Sequence, residues 1–428
     1  MRRNKSGFMM LMILSMIFIN ARILYAFPSV YLEDGRFFSH ANADLNGDGE
    51  NEIIGVGQKG AKKLHKGYIA AYEIKDSQLS LLAEYTFSIS YEGQELAGRI
   101  RSVIVIRDPD SGEWEIYVSG RGGEDETGVG FLKKCVYQAD KKKFQDVYTH
   151  VFHSSDKEYT HGYPIALWKI NGEKKPAVVY GGFSGDDMGD MVDIRVFKTG
   201  SDSDFRECFL QPFSNLEIPL RANALSTGDI DDDGREDILI AGRTKKGSLE
   251  VGSLACYSNG KVYYKILDDK IPSRFRTILI ADIDRDGEKE IITGGRMDAG
   301  DQSLGRMELW RFESESFSLK SRYCWTCDGS TRLRTLAHHP EGNFFSAGGR
   351  SQIAVNGEFV WEGFIRQFSI ENDRIIPVQR VDYFNEGPET RIRHAEYLKS
   401  DMLVISGFIS LSENKKKGFI SLIPTSTK

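Results

Sequence analysis

The sequence predicts an all-β fold: a seven-bladed β-propeller of four-stranded antiparallel blades, closed by an N-terminal strand that completes the last blade. Three observations predict it. In five segments a basic residue is followed 21 positions later by a glycine: Arg36 to Gly57, Arg99 to Gly120, His161 to Gly182, Arg221 to Gly242 and Arg274 to Gly295. Two shortened segments, Arg332 to Gly349 and Arg391 to Gly407, bring the number of units to seven, with starts about sixty residues apart. Each unit then repeats short runs rich in Val, Ile, Tyr and Phe between Gly, Asp and Asn turns, which is the composition of strands. Finally, the last unit stops after its third run at Ile423, and the segment FPSVYLEDG before Arg36 is a strand without a unit. Joining the two ends closes a ring and removes an exposed sheet edge.

The runs follow a fixed order. The first starts at the basic residue, as in RIRSVIVI from Arg99. The second ends in small residues, as in EIITGG; the third alternates, as in GRMELWRF; the fourth resembles KVYYKIL from Lys261. No segment after residue 30 combines helical periodicity with caps. A four-run unit of this length is one propeller blade.

Residues 1–26 read as an export signal: Arg2, Arg3 and Lys5, an apolar stretch from Phe8 to Ile19, then Leu24-Tyr25-Ala26 with cleavage expected after Ala26. The apolar stretch is too short to span a bilayer as a helix. Residues 27–428 then form a single propeller, expected to be monomeric, without a membrane span, and secreted, periplasmic or at the cell surface. The net charge is −6 over 428 residues, and the acid is concentrated in three short loops. The remaining surface is near neutral, which argues against nucleic acid as a partner. Five cysteines are too few and too scattered for a disulfide scaffold, and Cys324-Trp-Thr-Cys327 lacks the second ligand pair of a zinc site.

The three acidic loops are ADLNGDGENE from Ala43, GDIDDDGRED from Gly228 and ADIDRDGEKE from Ala281. Each offers five oxygen donors within nine residues. Side chains at positions one, three, five and nine and a carbonyl at seven suit a hard cation, calcium. The first set is Asp44, Asn46, Asp48, the Glu50 carbonyl and Glu52. The second is Asp229, Asp231, Asp233, the Arg235 carbonyl and Asp237. The third is Asp282, Asp284, Asp286, the Glu288 carbonyl and Glu290. Gly49, Gly234 and Gly287 permit the reversal. Position twelve carries Gly55, Ile240 and Thr293 instead of the bidentate Glu of an EF-hand, and strands flank the loops.

This pattern resembles the FG-GAP/VCBS repeat family, which includes the integrin α-subunit propeller. The resemblance implies that the loop joins the first two strands of a blade and binds calcium. In unit two the ligand positions carry Arg107, Pro109 and Ser111, and in unit three Lys169, Asn171, Glu173 and Ala177. Units six and seven have shortened turns. Three structural ions are therefore expected.

The residues that open the units, Arg36, Arg99, His161, Arg221, Arg274, Arg332 and Arg391, are expected round one mouth of the central channel, opposite the acidic loops. Arg101, Arg276, Arg334 and Arg393 repeat the charge two residues on. Such a ring can select a carboxylate, sulfate or phosphate. It can equally bond neighbouring blades, and the residues alone leave both roles open. The loops beside this mouth hold Arg121, Arg243, Arg296 and Arg350, with an acidic cluster at Asp186, Asp187, Asp190 and Asp193. The chain is thus expected to be a non-enzymatic binding module for an extracellular protein or glycan. The alternative is a polysaccharide lyase or hydrolase acting on an acidic glycan at the channel mouth. His40, His161, His338, His339 and His394 lie on predicted first strands, yet no motif places a catalytic group, and none is assigned.

Overall fold

A computed structural model describes residues 27–60, 65–123, 128–153, 159–186, 189–199, 219–355, 357–383, 389–412 and 415–425. The expected signal at residues 1–26, Cys208 and Asp187 lie outside them. Every regular element among the described residues is a strand.

Strand β1 (Ser29–Glu33) comes first in the chain. Blade 1 is β2 (Gly35–Ala43), β3 (Glu52–Lys59), β4 (Lys66–Lys75) and β5 (Gln78–Phe87). A small hairpin follows, β6 (Ile89–Tyr91) and β7 (Gln94–Leu96). Blade 2 is β8 (Gly98–Arg107), β9 (Trp114–Gly122), β10 (Val129–Gln138) and β11 (Lys143–Phe152). Blade 3 has three strands among the described residues, β12 (Tyr159–Trp168), β13 (Ala177–Asp186) and β14 (Gly189–Lys198). Blade 4 is β15 (Arg221–Gly228), β16 (Asp237–Lys246), β17 (Leu249–Ser258) and β18 (Lys261–Ile266). Blade 5 is β19 (Ser273–Ala281), β20 (Glu290–Ala299), β21 (Gln302–Glu313) and β22 (Ser316–Trp325). Blade 6 is β23 (Thr331–His338), β24 (Phe344–Val355), β25 (Glu358–Glu371) and β26 (Arg374–Tyr383). Blade 7 is β27 (Thr390–Lys399), β28 (Met402–Ser410) and β29 (Lys416–Pro424), and β1 supplies its outer strand.

The closure is the expected one. Strand β1 pairs antiparallel with β29, Ser29 opposite Ser421 and Glu33 opposite Lys417. The first strands neighbour one another in the cycle β2, β8, β12, β15, β19, β23, β27 and back to β2, so they form the innermost ring. Apolar side chains fill the gaps between blades. Ile54, Val56, Ile69, Ile100 and Ile116 join blades 1 and 2. Phe37, Tyr68, Val404 and Ile420 join blades 1 and 7. These sheets are hydrophobic on both faces because each is sandwiched between two others.

The basic-to-glycine spacing has a structural cause. In every blade the first strand slips register against the second just after its opening residues. In blade 5, Phe275 faces Gly295 and Thr277 faces Gly294, leaving Arg276 unpaired. That is a β-bulge. The slip pushes the first strand's carbonyl against the second strand's glycine. A Cβ on Gly295 would lie 1.9 Å from the Arg274 carbonyl oxygen, and one on Gly57 would lie 1.8 Å from that of Arg36. The same clash occurs in the other blades, at 2.0 Å for Gly120, Gly242 and Gly407. Glycine is therefore required there by close approach of two backbones.

Candidate functional site: the central channel and the acidic loops

A bulge re-aims the residue it leaves unpaired. In blades 1, 2, 4, 5, 6 and 7 the unpaired residue is Phe38, Arg101, Asn223, Arg276, Arg334 or Arg393. In blade 3 the slip spans Tyr163 and Pro164. Phe38, Arg101, Tyr163, Asn223, Arg276, Arg334 and Arg393 all line one central channel of about 840 Å³. Seven blades thus place a ring of four guanidiniums, a phenol, an amide and a phenyl ring around the axis.

None of the four arginines has a carboxylate partner among the described residues. Arg276 Nη1 donates to Asn223 Oδ1 at 2.8 Å. The Arg101 guanidinium lies over Phe38 at 4.3 Å and over Tyr163 at 5.3 Å. Arg393 of blade 7 also lies over the Phe38 ring, at 5.3 Å. Burial, with Arg99 and Arg36 adding and Tyr163 opposing, pushes Arg101 down to about 10, which leaves it charged at neutral pH. Burial first and neighbouring arginines second push Arg276, Arg334 and Arg393 well down. The positive field acts oppositely on Tyr163. Burial raises its pKa, but Arg101, Arg121, Arg221 and Arg276 outweigh burial and hold the phenol near 8.

The seven residues that open the first strands lie one layer nearer the mouth, and their partners are different. Arg391 donates to both oxygens of Glu389, at 2.9 Å each. Arg274 lies 3.4 Å from Glu250 of blade 4 and 3.8 Å from Asp298. Arg99 Nε donates to Gln58 Oε1 of blade 1 at 2.8 Å. Arg36 stacks on Phe408 of blade 7 at 5.1 Å, Arg221 on Phe183 of blade 3 at 4.2 Å, and Arg332 on Trp361 at 5.0 Å. His161 is buried, with Nε2 3.5 Å from Arg121 Nη1. Most of these contacts cross from one blade to the next. Of the loop arginines, Arg243 pairs with Glu250, Arg296 with Asp298 and Arg350 with Glu389. Asp193 pairs with Arg195 at 3.0 Å.

The acidic loops connect β2 to β3, β15 to β16 and β19 to β20, at the opposite end of the first strands. Their backbones fold alike. The ninth-position carboxylate accepts the amide of the second residue: Leu45 to Glu52 at 2.7 Å, Ile230 to Asp237 at 3.0 Å, Ile283 to Glu290 at 2.8 Å. The first-position Asp accepts the glycine amide: Gly49 to Asp44, Gly234 to Asp229, Gly287 to Asp282. Carboxylate oxygens of Asp229, Asp231 and Asp237 come within 4.8 Å of one another, as do those of Asp282, Asp284 and Glu290. Burial and the neighbouring acids raise Asp237 to about 6 and Glu290 to about 7. The fifth-position acids, Asp48, Asp233 and Asp286, cap the turn by accepting the amides of Glu50, Arg235 and Glu288.

The loops differ in what surrounds them. In the first, Asn46 Nδ2 donates to Asp48 and Glu52 at 3.0 and 2.9 Å. In the second, Ser258 donates to Asp231 at 2.8 Å. In the third, Arg311 occupies the equivalent of Ser258 and lies 2.9 Å from Glu290, 2.9 Å from Glu288 and 3.3 Å from Asp286. The degraded turn of blade 2 holds a cation of the protein's own. Lys175 of blade 3 reaches Asp108 at 3.1 Å and Asp110 at 2.8 Å. Sequence reasoning missed Lys175 and Arg311, which come from other blades or later strands. It also missed Tyr163 and Asn223; the two-residue offset from the opening basic residue was the signal for them.

Cys135 and Cys256 are buried free thiols, and Cys324 and Cys327 are also free. No helix among the described residues is long and apolar enough to cross a membrane.

No family model matches this chain, and no curated protein sequence matches it. Solved structures resemble it in fold. Sqt1 from Chaetomium thermophilum, bound to the N-terminus of ribosomal protein L10, is 13% identical with a TM-score of 0.49, covering 93% of this chain and 100% of that one. The Dos1 propeller is 11% identical with a TM-score of 0.48, covering 88% of this chain and 80% of that one. The NanB sialidase of Streptococcus pneumoniae is 11% identical with a TM-score of 0.45, covering 91% of this chain and 68% of that one. Likeness at this level carries no functional argument.

Proposed function

We propose that this protein is an exported, calcium-stabilised propeller that binds an anionic group of an extracellular glycan or protein in its central channel. Entry is from the face opposite the acidic loops. The observation that carries this reading is the set of four channel arginines that lack a carboxylate partner among the described residues. Like charges gathered in a partly desolvated channel repel one another, and a carboxylate, sulfate or phosphate relieves that repulsion through charge-assisted hydrogen bonds. The opening arginines, most of them tied to a neighbouring blade, hold the mouth rigid and add to its field. Calcium fits the acidic loops because their donors are oxygens and their clustered carboxylates lose their mutual repulsion on the ion. The test measures binding of an oligouronate or a sulfated oligosaccharide against neutral analogues, for the wild type and for Arg276→Ala and Arg334→Ala. Affinity for the acidic ligand falls at least tenfold in each variant. Equal binding by wild type and both variants overturns the reading.

One observation favours a second reading. Tyr163, held near pKa 8 among arginines, gives up its proton more readily than a free phenol and can serve as a base once ionised. A lyase acting on a uronate needs a base beside cations that neutralise the sugar carboxylate. Appearance of unsaturated uronate product, lost in Tyr163→Phe while binding survives, would establish it. Absence of product from pectic, alginate and glycosaminoglycan substrates would exclude it for those glycans.

A further inference from the structure

We propose that His40, His394 and Glu396 form a site for one divalent transition ion, zinc by donor chemistry, on the channel wall where the ring closes. Strand β2 of blade 1 supplies His40, and β27 of blade 7 supplies the other two. His394 faces Ser406 and Glu396 faces Val404 in regular register, so the two residues share one face of β27. Ala395 between them turns to the opposite face and packs in the blade 7 core. All three candidate ligands line the channel, which leaves the site open on one side.

The geometry suits a metal. One ligand atom from each residue lies within 4.8 Å of the others. The Nδ1 atoms of His40 and His394 are 3.3 Å apart. Two nitrogens on a tetrahedral ion with bonds of about 2.0–2.1 Å are separated by about 3.3–3.4 Å. His394 Nδ1 also faces the His40 amide at 3.4 Å, and His40 Nδ1 faces the Ser406 hydroxyl at 2.9 Å. A bound ion would take the place of the direct contact between these two imidazoles, and the Ser406 contact at the same His40 nitrogen would give way to it.

One further observation points to a missing partner. Nothing but burial acts on Glu396, which has no ion-pair or hydrogen-bond partner among the described residues. A carboxylate beside two imidazoles, with no cation in reach among the described residues, is satisfied by a divalent ion. Two imidazoles and one carboxylate select zinc, copper, nickel or iron over calcium. Water or an oxygen of a channel ligand completes the coordination. The ion would join the first blade to the last across a sequence separation of 354 residues.

The experiment uses the purified full chain, stripped with a chelator and reloaded with zinc in excess calcium, so that the acidic loops do not compete. Metal content after desalting and thermal midpoint are read for the wild type, His394→Ala, Glu396→Gln and Cys324→Ser. One zinc per chain in the wild type and in Cys324→Ser, absent from both seam variants, is expected. The wild type alone among the seam proteins gains thermal stability with zinc. If His394→Ala does not fold, the near-isosteric Glu396→Gln decides. A wild type that retains no zinc, or a zinc that persists in Glu396→Gln or disappears in Cys324→Ser, overturns the proposal. Calcium content, counted in the same samples, reports on the acidic loops independently.

Discussion

Arg391 and Arg393 stand two residues apart on one strand and have opposite surroundings. Arg391 clasps Glu389 with two hydrogen bonds. Arg393 lines the channel against an aromatic ring, with other guanidiniums as its nearest charges. The contrast runs round the whole ring. Opening residues are basic in every unit, and most of them are bound to the neighbouring blade. Bulge residues vary from Phe38 to Tyr163 to Asn223 to arginine and face the axis. What repeats in every blade serves the scaffold, and what varies at the same structural position is free to serve a ligand.

The strongest way to break this comparison is to remove the bulge itself. Gly295→Ala sets a methyl group 1.9 Å from the Arg274 carbonyl oxygen, so the strands must part. A loss of about 3 kcal/mol or more in urea unfolding is expected. A loss below about 1 kcal/mol would mean that the glycine does not pin the bulge.

The second way compares the two rings directly. Arg334→Met removes a charge with no carboxylate partner among the described residues, so the ligand-free fold should keep or gain stability while anion affinity falls by about 1.5–3 kcal/mol. Arg391→Met should do the reverse, costing about 1 kcal/mol of stability with little effect on affinity. Calorimetry and denaturant melts on both variants check this; matching profiles would erase the distinction between the rings.

The third concerns the opposite face. A calcium site filled to a hundred times its dissociation constant adds about 2.7 kcal/mol, so chelation should lower the melting temperature. The second loop should bind most tightly, because Arg311 already occupies the carboxylates of the third. Arg311→Ser should strengthen the weakest calcium step in a titration. No change in that step would mean that the guanidinium does not compete.

The smallest effect is a titration. Tyr163 ionises near pH 8, against 10 for an unperturbed phenol. An acid ionised earlier in the folded state adds stability as pH rises from about 8 to 10, and none below that window. Ultraviolet difference spectra should show one tyrosinate appearing near pH 8, absent in Tyr163→Phe and shifted upward in Arg101→Gln.

Blade number, strand order and closure were legible because each follows from local pattern repeated along the chain. Phe37, Ile100 and Phe275 recur one residue after the opening residue and pack in the core of every such blade. The loop donors were legible because Asp229, Asp231 and Asp237 are close in sequence. The cations that compete for such turns were not, since Lys175 belongs to the next blade and Arg311 to a later strand. The meeting of His40 with Glu396 was equally hidden, because only ring closure brings their strands together. The spacing from basic residue to glycine was visible, but its cause was not. A bulge is a relation between two backbones, and a one-dimensional pattern records only the small residue it requires.

The pairing of Ser29 with Ser421 links positions 392 residues apart. Strand β1 must therefore wait until β29 has been made. Contacts this distant in sequence are slow to form. Until they do, one flank of the seventh sheet and one flank of the first lie bare, which invites aggregation or capture by holding factors. Closure of this wheel thus depends on a contact that spans 392 residues of chain.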